Sequence, residues 1–166
     1  MGLDMYLRSL PRIEGMELDE ILMANANMRQ HEQENSEVYQ KIKPHIKHFE
    51  EFDMKWRSMF TDVVYWRKAN WIHHWFVETI QGGEDDMSHY EVTSNQLFEL
   101  HNKCLEVLAR DNPPWDVLPA RPGPFFGSTS YDSYYFYETD RTKNILADLL
   151  ENFNFQTHYI LYHANW

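Results

Sequence analysis

YWRKANWIHHWFV, residues 65–77, carries five aromatic side chains, two histidines, an arginine, a lysine and an asparagine in one short run. At about 100° per residue, Tyr65, Ala69, Ile72, Phe76 and Ile80 fall within about 80° of one another, the stripe of a helix packed on a core. Trp66 and His73 lie on one flank of that stripe and Lys68, Trp71 and Trp75 on the other, while Arg67, Asn70, His74 and Glu78 fill the rest. The spacing therefore predicts one central, Trp-rich helix over about residues 61–81, capped by Thr61 or Asp62 and stopped by Gly82-Gly83.

The flanking sequence supplies a sheet and further helices. Leu3, Met5 and Leu7 alternate with Asp4 and Tyr6, a short strand that Pro11 ends. The C-terminal NFQTHYILYHANW, residues 154–166, favours a strand through its aromatic and β-branched residues, and pairing it with the N-terminal strand closes a small sheet. Thr93 and Gln96 form a capping-box pattern before a helix whose face is Leu97, Leu100, Cys104, Leu105 and Leu108. Proline-rich residues 111–124 are a rigid loop, and residues 125–137, FFGSTSYDSYYFY, read as strand-like aromatics around a turn. Thr139 or Asp140 is expected to cap a last helix bearing Ile145, Leu146, Leu149, Leu150 and Phe153. The sum is an α+β domain spanning 1–166, with a mostly antiparallel sheet and four or five helices. Residues 16–58 are polar and Met-rich, with one helical face of Leu18, Ile21, Leu22 and Met28 and another of Val38, Ile42, His45, Ile46 and Phe49, and are expected to form a helical insertion packed on the main body.

Composition narrows the classes. A formal net charge of −11 argues against direct nucleic-acid binding and fits either a solvated surface or an acidic face that occupies a partner's basic site. The single cysteine, Cys104, permits no internal disulfide and points to a reducing compartment. No apolar run reaches the length of a membrane span, and the start has neither a secretory pattern nor the Ser or Thr at position 6 that N-myristoylation requires.

The polar edge of the 65–77 stretch is the place where chemistry is most expected. Lys68 can lay its stem along apolar surface with the ammonium in water, or project into an aromatic cleft and hold an anion. His73 can be a satisfied core histidine or a hydrogen-bond donor to a ligand. The hydroxyls of Ser128 and Thr129, with Tyr131 and Asp132 behind them, can meet a phosphate in the glycine-led turn. No metal-ligand spacing and no thiol or serine nucleophile motif is present, so no metal and no cofactor are expected.

Three stretches carry a resemblance: GLDMYL (2–7), YWRKANWIHHWFV with IQGGEDD (65–77 and 80–86), and FFGSTSYDSYYF (125–136). Together they resemble a family of small proteins encoded by bacteriophages and prophages. Against that family's pattern, residues 11–58 are longer, and Met87 stands where a cysteine is expected. The resemblance implies a setting, an accessory protein in the host cytoplasm directed at a host system, rather than an activity.

Three functions follow as expectations. The first is a binding protein, not an enzyme, that sequesters a small phosphorylated or nucleotide-like ligand. Its site would comprise Trp66, Arg67, Lys68, Asn70, His73, Ser128, Thr129, Tyr131 and Asp132: the two cations neutralise the anion, Asn70 and His73 hydrogen-bond it, and Trp66 or Tyr131 stacks a ring. The second is an acidic inhibitor that occludes the basic site of a host defence protein, such as a nuclease or a CRISPR-type effector. The third is a small hydrolase acting on a nucleotide-like substrate, with His73 as base and Asp132 as its partner. A homo-oligomer is compatible with each.

Overall fold

A computed structural model describes residues 2–166. The chain is α+β and divides into two compact units. The first comprises the residues through Arg8, Asp62–Phe155 and Ile160–Trp166; the second comprises Ser9–Thr61 and Gln156–Tyr159.

The first unit is built on a four-stranded sheet of order β4-β1-β6-β5, from β1 (Asp4–Pro11), β4 (Thr61–Arg67), β5 (Tyr90–Glu91) and β6 (His158–Asn165). The N- and C-terminal strands are paired, as expected from the alternation of the first and the aromatic and β-branched content of the second. Leu3, Met5 and Leu7 are fully buried, while Asp4, Tyr6 and Arg8 face the other way. Helices α4 (Asn70–Thr79), α5 (Ser94–Ala109) and α7 (Ser133–Asn152) supply the rest of a core that also holds Trp66, Phe76, Leu100, Cys104, Tyr135 and Leu146. A short α6 (Pro114–Val117) lies within the proline-rich loop.

The stretch expected as one helix is a strand followed by a helix. In β4, Val64 and Trp66 are buried while Tyr65 is 42% exposed and Arg67 faces solvent, a period of two and not 3.6. The β-branched and aromatic run before Arg67 suits a pleated strand. Lys68, at φ 57°, breaks the strand, its N–H donating to the Leu3 carbonyl, and α4 begins two residues later. Helical spacing across the junction is therefore coincidental, and of the three tryptophans Trp71 and Trp75 belong to the helix and Trp66 to the strand.

The second correction concerns residues 131–137. Asp132 accepts from the N–H groups of Tyr134 and Tyr135 and so caps α7, which makes the tyrosine run the first turns of a twenty-residue helix and not a strand. Neither Thr139 nor Asp140 is the cap. Thr139 instead sits inside the helix and, with Thr142, takes the indole N–H groups of Trp71 and Trp66 at 3.0 and 2.8 Å. Helix α7 also covers the open edge of β4: Tyr134 donates to the Arg67 carbonyl and Arg141 to that of Tyr65. The capping box of Thr93 and Gln96 opens α5 as expected, although Leu105 is 45% exposed and Val107 takes the core position.

The second unit contains three short helices, α1 (Leu18–Ala26), α2 (Met28–Glu34) and α3 (Glu37–Ile42), then a hairpin of β2 (Lys47–Glu51) and β3 (Met54–Ser58). The helical face expected through His45, Ile46 and Phe49 is thus partly strand. Phe49 lies opposite Trp56, ring to ring at 5.5 Å. Phe52 and Asp53 form the two-residue turn with φ of 50° and 62°, the primed geometry that matches strand twist. Leu10, Ile13, Ile21, Ala24, Met28, Ile42 and Met59 are this unit's buried apolar residues. The Asn25 side chain ties the end of the hairpin to α1 by accepting from the Met59 N–H at 2.8 Å.

Candidate functional site

Most of the residues expected to bind a ligand use their polar groups within the fold. Trp66 is fully buried. Asn70, also fully buried at the first turn of α4, donates to the carbonyls of Phe126 (3.2 Å) and Ser128 (2.8 Å) and accepts from the Arg121 N–H (3.1 Å). That amide holds the whole 121–128 loop against the helix. Tyr131 accepts from the Ala120 N–H and packs edge-on against Trp115 and Tyr135, and Asp132 is the cap of α7.

His73 stands in a buried chain of hydrogen bonds. Its Nδ1 is 2.7 Å from the Tyr162 hydroxyl and its Nε2 is 3.0 Å from Asp85. Asp85 also accepts from the Trp166 indole at 3.0 Å and lies 3.6 Å from Arg121. Nε2 faces an Asp85 oxygen, an acceptor, so it is the nitrogen that donates, and Nδ1 accepts from the Tyr162 hydroxyl. Burial pushes the His73 pKa down against the pull of Asp85, and burial pushes that of Tyr162 well up, so both are neutral. The partner of His73 is therefore Asp85 and not Asp132. Fully buried, His73 and Tyr162 form a cross-link between α4, β6 and the loop after α4.

Besides the capping Asp132, four of the expected residues are exposed: Arg67, Lys68, Ser128 and Thr129. Lys68 packs on Gly127, the residue before Ser128: a Cβ on Gly127 would lie 3.0 Å from that of Lys68. The ammonium of Lys68 has no ion-pair partner among the described residues, whereas Arg67 lies 3.9 Å from Asp4. The Ser128 hydroxyl accepts from the Ser130 N–H.

A second cationic and aromatic site lies in the second unit, where sequence reading placed none. Between α2 and the hairpin is a cleft of about 340 Å³, lined by Arg29, His48, Phe49, Glu50, Lys55, Trp56 and Arg57. Strand register puts His48, Glu50, Lys55 and Arg57 on one face of the hairpin. Arg57 bonds Glu32 of α2 at 2.7 Å, and Tyr39 donates to the same carboxylate, so that face looks at α2. These two bonds hold the Glu32 pKa down. Lys55 and Glu50 are 3.6 Å apart and largely exposed, a weak pair. Arg29 is exposed, and its guanidinium has no partner among the described residues. The alternation in HFEE and MKWR, with a histidine beside Phe49, Lys55 and Arg57 on either side of Trp56 and a two-residue turn between, was the signal for this site. It is masked because Phe-Asp stands where Asn-Gly is the usual mark of such a turn.

No group of three or more histidine, cysteine, aspartate or glutamate side chains is placed to hold a metal ion among the described residues. Cys104 is buried, and desolvation pushes its thiol up to about 12, far from a reactive thiolate. No helix among the described residues is long and apolar enough to cross a membrane. Comparison with protein-family models, with curated proteins and with solved structures found no match.

Proposed function

We propose that this is a binding protein that takes up a small phosphorylated, nucleotide-like ligand in the cleft between α2 and the β2–β3 hairpin. One observation carries the proposal: Arg29, Lys55 and Arg57 line a space of about 340 Å³, with Arg29 unpaired and the other two beside Glu50 and Glu32, in a chain of net charge −11. A phosphate is the natural partner of a free guanidinium, which offers parallel N–H donors in a rigid fork. Trp56, 43% exposed and stacked on Phe49, stands at the edge of the cleft, on the hairpin face opposite Lys55 and Arg57. The volume suits one small ligand and is at the lower end of ordinary ligand sites.

The resemblance to small phage proteins supports a purpose, removal of a host signal from circulation. Arg67, Lys68, Ser128 and Thr129 form the competing surface for the same ligand class, with two cations, one of them unpaired, in place of three.

The test is calorimetric titration of the full chain with mononucleotides, cyclic nucleotides and inorganic phosphate, together with mass spectrometry of anything released on denaturation. Binding of a nucleotide that Arg29→Gln weakens at least about tenfold, with Lys68→Gln unchanged, is expected. No released ligand and no heat with any compound, or a loss on Lys68→Gln alone, would overturn the proposal.

A further inference from the structure

Helices α1, α2 and α3 enclose a second depression, of about 380 Å³, whose character is opposite to that of the cationic cleft. Its floor and walls include Met16, Met23, Ala24 and Val38. Ala24 is buried, Met16 and Val38 are half-buried, and Met23 is 66% exposed although it stands on a helix with a core to join. Its charged rim is Glu20, Glu37 and Lys41, and Lys41 is turned to the Gly15 carbonyl at 3.3 Å.

Charge around the groove is one-sided. From Glu14 to Glu37 the chain holds seven carboxylates (Glu14, Glu17, Asp19, Glu20, Glu32, Glu34 and Glu37), of which Glu20 and Glu37 line the groove, Lys41 beside them, and Glu32 is taken by Arg57, against the single cation Arg29. That cation lines the other cleft: Arg29 and the groove residues Gln30 and His31 are consecutive on α2 and point in different directions. Exposed methionine is an adaptable apolar surface, since its unbranched thioether repacks around differently shaped partners. An apolar groove within an acidic field selects a segment that brings apolar anchors on one face and cations on the other.

We propose that the α1–α3 groove is a docking surface for a basic amphipathic segment of a partner protein, with Met23 and Met16 receiving its apolar face and Glu20, Glu37 and their acidic neighbours receiving its cations. This surface is independent of the ligand cleft: a protein that binds no nucleotide would still dock such a segment, and the reverse holds too. It gives a physical form to the inhibition of a host protein through its basic site, because segments that grip phosphate backbones are basic and often amphipathic.

Two labelled helical peptides with the same leucine face, one with lysines and one with glutamates opposite, test this with the full chain. Fluorescence anisotropy is read at low and moderate salt, and the methionine methyl groups are followed by NMR. The lysine peptide is expected to bind, more weakly as salt rises, and to shift the Met16 and Met23 methyl signals while leaving those of Met54 and Met87 in place. Met23→Gln leaves the charge unchanged at an exposed position, so the fold persists, and is expected to weaken binding about tenfold. Equal binding of both peptides, an unchanged affinity of Met23→Gln, or shifts centred on Met54 or Met87 would each overturn the proposal.

Discussion

Asn70→Ala removes the buried side chain that hydrogen-bonds three backbone groups of the 121–128 loop to α4. The amide makes three hydrogen bonds at 2.8–3.2 Å with no exposed surface of its own. Deleting it strands the Arg121 N–H, which is partly buried, and the carbonyl of Phe126, a residue only 3% exposed. Each buried group left without a partner costs about 1–3 kcal/mol, whereas the Ser128 carbonyl, on an exposed residue, recovers water at little cost. The expected loss is roughly 3–5 kcal/mol, a large part of a typical total stability and about 10 °C in Tm for a chain of this size. Urea unfolding followed by near-ultraviolet circular dichroism measures it, and amide exchange at Arg121 locates it. Asn70→Asp keeps the acceptor for Arg121 but faces two carbonyls with a carboxylate, so it is expected to be no better than alanine. A loss below about 1 kcal/mol with Arg121 exchange unchanged would refute the clamp and return Asn70 to the list of ligand-binding residues.

Burial holds His73, His74, His89, His158 and His163 below the ordinary imidazole value, with His89 down to about 4 beside His163 and Arg8. The unfolded chain takes up protons near pH 6.5 that the native state refuses, so stability is complete above that pH and falls as pH drops toward 5. The urea midpoint is expected to decline over that window, less so in His89→Gln, and a flat or rising midpoint would contradict the neutral assignments. Phe52→Asn with Asp53→Gly relieves two left-handed residues at a turn where Phe52 is 86% exposed, and is expected to stabilise by about 1 kcal/mol in thermal melts. Cys104 should react with a thiol reagent only as fast as the fold opens; native-state labelling at the rate of a free thiol would show that its burial is wrong.

The ends of the chain were legible because a strand with one buried face writes its period directly: Leu3, Met5 and Leu7 have no other simple explanation. The capping box of α5 was legible for a similar reason, since Thr93 and Gln96 act locally. The 65–77 stretch misled because a strand and a helix meet in it, and a stripe of every third or fourth residue can be drawn across the join. What decides the matter is Lys68 in a left-handed conformation, a backbone state that lysine does not advertise. The candidate site was less legible than the fold. Polar residues in an aromatic run look like recognition, yet Asn70 and His73 answer the polar groups of distant loops, Arg121 and Asp85, which no local pattern brings near. The cationic cleft needed the cross-strand register of the hairpin, which its Phe-Asp turn conceals.

The most direct test of the central claim is where a nucleotide touches the protein. An NMR titration of the isotope-labelled full chain with a mononucleotide follows the backbone amides and the Arg29 side-chain N–H at once. Shifts confined to residues 48–57 and to Arg29 are predicted. Shifts centred on residues 67–73 and 127–132, or none at saturating nucleotide, would contradict the account.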